Sequence, residues 1–89
     1  MKVVVSRSGG ITGMRTTWEV QVDDQPDAPR WAELLKELPW DQVEHRAPQP
    51  DRYVYRIRCE LHDVILGEPE LKGMWRELVD RVRAVNERH

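Results

Sequence analysis

Val3 and Val5 alternate with Lys2, Val4 and Ser6, and further on Trp18, Val20 and Val22 alternate with Thr17, Glu19 and Gln21. A two-residue period of this kind is that of a strand buried on one face only. It predicts strands from Lys2 to Arg7 and from Met14 to Val22. Consecutive strands joined by a short glycine-rich segment pair most simply as an antiparallel hairpin. The joining stretch "SRSGGITGMR", residues 6 to 15, is longer than a tight hairpin needs and sets three glycines around Ile11 and Thr12.

"DDQPDAP", residues 23 to 29, breaks the alternation. Asp27 is placed to cap a helix whose first turn accepts Pro29. Trp31, Leu34, Leu35 and Leu38 then recur at helical spacing as one apolar stripe, and Pro39 closes it. "WDQVEHRAPQP", from Trp40 to Pro50, has no sustained period and reads as a connecting loop anchored by Trp40 and Val43. "DRYVYRIRCE" alternates cleanly, with Tyr53, Tyr55, Ile57 and Cys59 on one face and Arg52, Val54, Arg56 and Arg58 on the other. After a turn near Leu61 to Asp63, Val64 and Leu66 point one way and Ile65 the other, which completes a second hairpin. Glu68, Pro69 and Glu70 suit a helix N-terminus. Leu71, Met74, Trp75, Leu78, Val82 and Val85 hold one face of that helix, with Gly73 inside it at a cost of about 1 kcal/mol against alanine.

The order strand, strand, helix, strand, strand, helix gives each hairpin one apolar face and each helix one apolar stripe. Burying them all at once predicts a two-layer α+β domain, ββαββα, with a four-stranded, mainly antiparallel sheet and both helices on one face. Trp31, Leu34, Leu71, Trp75, Leu78, Tyr55 and Ile57 form the expected core.

At 89 residues, one domain spanning 1–89 is expected, because so short a chain does not build two independent cores. No apolar run approaches the roughly 18 to 20 residues that cross a bilayer, so no membrane association is expected. Met1 to Ser6 is too short for the apolar region of a secretory signal, which points to a cytoplasmic protein or to a signal already removed. A formal net charge of -2 argues against general nucleic-acid binding. Cys59 is the single cysteine, so there is no intrachain disulfide and no multi-cysteine metal cluster.

Candidate chemistry is sparse. His45, His62 and His89 fall in no catalytic motif, and neither a Gly-x-Ser-x-Gly nor a His-Glu-x-x-His pattern occurs. Cys59 with His62 or His45 is the sharpest catalytic grouping, yet Cys59 lies on the apolar face of its strand and reads as packing. His62 with Asp63 offers two metal ligands, too few for a zinc site. A protein without enzymatic activity, cofactor or metal is therefore expected. Arg52, Arg56 and Arg58, with Lys2 beside them, could meet nucleic acid or an acidic partner, but a solvated outer sheet face accounts for them as well. Tyr53 and Tyr55 alternate with the arginines and are expected in the core rather than on an RNA-stacking surface. "SGGITG" lacks the Gly-Lys-Ser/Thr of a phosphate loop. An irregular hairpin without further role also accounts for its glycines.

Taken together, "RSGGITG" at residues 7–13, "PDRYVYRI" at residues 50–57 and a final helix carrying "LVDRVR" resemble the emfourin-like family of protealysin inhibitors, from about Lys2 to Val85. The resemblance implies a small inhibitor of thermolysin-like metallopeptidases, often encoded beside the enzyme it controls. It makes Arg7, Ser8, Gly9, Gly10, Ile11, Thr12 and Gly13 the expected partner-binding segment. Such peptidases cleave before bulky apolar residues, and Ile11 follows two glycines whose narrow backbone suits entry into a cleft. Two other readings stay open: an interaction module for a different protein, and a nucleic-acid binder using the arginine face.

Overall fold

Strand-forming alternation and helical stripes resolve into six main elements in the computed structural model, which describes residues 1–9, 14–42 and 53–87. They are β1 (Lys2–Gly9), β2 (Thr16–Gln21), α1 (Ala28–Glu37), β3 (Tyr53–Cys59), β4 (His62–Gly67) and α2 (Met74–Glu87). Three single 3-10 turns, Val22–Asp24, Trp40–Gln42 and Glu68–Glu70, interrupt the expected ββαββα order. The architecture is α+β, with a four-stranded sheet in the order β2-β1-β3-β4 whose neighbours are all antiparallel.

Register explains the core. Val5 lies opposite Trp18 on one side and Ile57 on the other, and Ile57 lies opposite Val64, so these side chains share one sheet face. On that face Val3, Val5, Val20, Tyr55, Ile57, Cys59, Val64 and Leu66 are buried. They join Trp31, Leu34, Leu35 and Leu38 from α1 and its C-cap, and Leu71, Trp75, Leu78, Val79 and Val82 at and before α2, in a single apolar cluster. Both helices thus cover the same side of the sheet. Asn86 fastens the end of α2 to β2 by donating from Nδ2 to the Glu19 carbonyl at 3.1 Å.

Several local expectations are corrected. Asp27 occupies the N-cap position of α1, but its side chain makes no capping bond. Its carboxylate instead accepts from Trp31 Nε1 at 2.9 Å and from Arg81 at 3.3 Å, because a buried indole N–H one turn on is the more demanding donor. Glu68, Pro69 and Glu70 form a separate 3-10 turn ahead of α2. The Glu70 carboxylate accepts there from the Gly67 N–H at 3.2 Å. Gly73 is not inside the helix: it precedes Met74 with φ 62°, and its carbonyl accepts from the Glu77 N–H at 3.1 Å. A left-handed residue at a helix entry uses the freedom of glycine rather than suffering from it. The β3–β4 turn is tighter than expected: Cys59 pairs with His62, leaving only Glu60 and Leu61 between the strands. Glu60 takes φ 54° there.

Candidate functional site

The candidate segment starts inside a strand. Arg7, Ser8 and Gly9, expected at the strand's end and beyond it, are the last residues of β1, the central strand on this side. Arg7 pairs with both Thr16 and Tyr55, Ser8 with Val54 and Gly9 with Tyr53. Central pairing extends the strand past the point where its apolar alternation ends. Gly9 has φ 100°, a backbone angle that L side chains rarely adopt, so the last residue of β1 takes a conformation that glycine allows. Gly10, Ile11, Thr12 and Gly13 lie outside the described residues, and the chain is described again at Met14 and Arg15, both exposed.

Arg7 follows Val5 by two residues and so projects from the helix-bearing face, where its guanidinium lies 4.6 Å from the Tyr53 ring centroid and 5.4 Å from that of Trp18. Arg83 of α2 sits over Trp18 in turn, at 5.4 Å. Tyr53, expected in the core with Tyr55, is 38% exposed. It shares the inward face with Tyr55 but stands at the end of the sheet, where it packs on Arg7. Sequence reasoning missed this ladder although its signal was present: Arg7, Trp18 and Tyr53 all occupy inward positions of their strands at one end of the sheet.

On the opposite sheet face the arginine stripe is partly neutralised. Arg56 holds Asp63 through two bonds, Nε at 3.0 Å and a terminal nitrogen at 2.7 Å, and Arg58 reaches the same carboxylate at 4.0 Å. The bonded Arg56 guanidinium holds the Asp63 carboxyl below its ordinary range. Lys2 pairs with Glu19 across the β1–β2 ladder at 3.3 Å. Arg52 lies outside the described residues.

Among the described residues the groupings considered for catalysis or metal binding do not converge. Cys59 is 3% exposed. Burial, followed by the neighbouring Glu60 charge, pushes its thiol pKa up and keeps it protonated, a poor nucleophile. His62 stands directly across from Cys59 but stacks on Trp40, while His45 is outside the described residues. His62 and Asp63 are adjacent on β4 and project from opposite faces, so they cannot chelate one ion. Among the described residues no group of three or more histidine, cysteine or acidic side chains could hold a metal. No described helix is long and apolar enough to cross a membrane.

Fold and site define a small α+β protein that presents a glycine-bearing hairpin at one end of its sheet. Residues 5–83 match the family model described as Emfourin, and the chain belongs to that family. Membership carries a protease-inhibitor role. No curated protein and no solved structure matches the chain.

Proposed function

We propose that the protein inhibits a thermolysin-like zinc metallopeptidase through the segment from Arg7 to Gly13, whose glycines would enter the enzyme's substrate cleft with Ile11 directed to the apolar subsite. The observation that carries this reading is the Emfourin match over residues 5–83, which includes this segment. Strand pairing of Arg7 with Thr16 supports it, because a segment entered and left through paired strands loses less entropy on binding than a free peptide. The left-handed Gly9 supports it as well, since glycine backbone is thin enough for close approach to a cleft. Restraint by the sheet slows cleavage of the bound segment, which is held away from a productive geometry.

The protein acts in this reading by binding alone, as a single domain, with no cofactor, metal, nucleic acid or membrane of its own, in the cytoplasm. The test is to titrate purified protein into several thermolysin-like peptidases and a serine peptidase and to follow residual activity. Loss of activity in the first group alone is expected. Unchanged activity throughout would leave the chain an interaction module for some other protein partner.

A further inference from the structure

The Arg7 guanidinium is a planar cation held between two rings from the strands on either side of its own. It lies 4.6 Å from Tyr53 on β3 and 5.4 Å from Trp18 on β2. Trp18 is covered from the helix layer by Arg83 of α2, again at 5.4 Å. Four elements are therefore tied together by four side chains in a row: Tyr53, Arg7, Trp18 and Arg83. The row crosses the sheet where β1 ends, and Gly9, the last residue of β1, pairs with Tyr53 itself.

We infer that Arg7 is a positioning residue: it clamps the hairpin end across three strands and thereby holds the backbone of β1 in place up to Gly9, rather than touching the peptidase through its charge. Its role in inhibition rests on the inhibitor reading; its role as a clamp does not. Three observations favour the clamp over a free contact cation. The side chain shares the face of Val3 and Val5, so its stem continues the inward row of β1. The guanidinium lies over two aromatic rings at once, which a flat delocalised cation does with both of its faces, whereas a lysine ammonium is a compact, strongly hydrated point charge that cannot spread over both. Burial falls off toward this end of the sheet, because Tyr53 is exposed where Tyr55 is buried, so among the described residues the core covers the strand ends less than their middles. Polar stacking takes its place at the point where the strands would otherwise fray.

The experiment compares parent, Arg7→Lys and Tyr53→Leu. Arg7→Lys keeps the charge and loses the flat guanidinium; Tyr53→Leu keeps Arg7 and removes one ring. The first readout is amide hydrogen exchange of the free protein. Exchange at Ser8, Gly9, Thr16 and Thr17 is expected to rise about three- to tenfold in both variants, with Val3, Val20 and Cys59 unchanged at the other end of the sheet. The second readout is the dissociation rate from an inhibited thermolysin-like peptidase, expected to rise by a similar factor in both variants. Unchanged exchange in Arg7→Lys would overturn the clamp. Faster dissociation of Arg7→Lys with parent-like dissociation of Tyr53→Leu would assign Arg7 to direct contact instead. Failure of the parent itself to inhibit any such peptidase would refute the inhibitor reading, and the exchange pattern would still decide the clamp.

Discussion

Trp40 stacks on His62 with ring centroids 4.5 Å apart and planes inclined by 11°. The same indole donates from Nε1 to the Leu35 carbonyl at 2.8 Å and meets Trp75 edge-on at 5.2 Å. One side chain therefore joins the end of α1, the start of β4 and the first turn of α2. It also satisfies a carbonyl in the last turn of α1 that the helix itself leaves without a partner.

Trp40→Ala should destabilise the protein by about 2 to 3 kcal/mol, somewhat less than a fully buried tryptophan, because Trp40 is only half-buried. His62→Ala removes one exposed stacking partner and should cost less than about 1 kcal/mol. Urea denaturation of the two variants checks the order. Equal losses would mean that the stack, and not the hydrogen bond with Trp75 packing, is what Trp40 contributes.

How much of this was readable beforehand depends on the kind of residue. Apolar positions were legible: Trp31, Leu34, Leu35, Leu38, Tyr55, Ile57, Leu71, Trp75 and Leu78 are all buried where their spacing put them. The spacing worked because one face of each element has a single core to meet. Val79, also buried, was missed because the helix stripe was drawn one residue too narrow. Polar side chains at element ends were less legible. Asp27 had a local capping role to offer and took tertiary partners, Trp31 and Arg81, that no local rule could name. Asp63 looked like a turn residue beside His62, whereas strand pairing set it across from Arg58 and within reach of Arg56. For the candidate site, the sequence pointed to the segment but not to the ladder beneath it, since cross-strand neighbours follow from register, and register depends on the whole sheet.

The Arg56–Asp63 pair gives a pH-dependent effect of known sign. The folded-state pKa of Asp63 is lowered, first by the hydrogen bond from Arg56. Its contribution is therefore present above the ordinary carboxyl value of about 3.9 and is lost as pH falls through the depressed one. Asp63→Asn should lower the melting temperature slightly at pH 7, and the difference should close in acid. The effect is small because both side chains are about two-fifths exposed and screened by solvent. Thermal melts of parent and variant across the acid range check it; a gap that widens on acidification would reverse the assignment.

Cys59 should behave as packing. With its thiol buried and held protonated, native protein should react with an aromatic disulfide reagent at pH 8 far more slowly than unfolded protein. Cys59→Ser should cost about 1 to 3 kcal/mol, because a hydroxyl replaces the thiol in an apolar layer. Inhibition by the folded variant should match the parent. Rapid labelling of the native thiol would contradict its burial against Val3 on the neighbouring strand.

The central claim is that the glycine segment, and not the arginine face, meets the peptidase. The most direct measurement is the inhibition constant against one susceptible thermolysin-like enzyme for parent, Ile11→Asp, Gly10→Val and Arg56→Ala, each shown to be folded by circular dichroism. Ile11→Asp presents a charge to an apolar subsite and should weaken inhibition tenfold or more, about 1.4 kcal/mol for each factor of ten. Gly10→Val should act in the same direction by widening the backbone and restricting its angles. Arg56→Ala, whose guanidinium is occupied by Asp63, should inhibit within about twofold of the parent. The account is contradicted if Ile11→Asp and Gly10→Val inhibit like the parent while Arg56→Ala does not, because the arginine face would then be the contact surface.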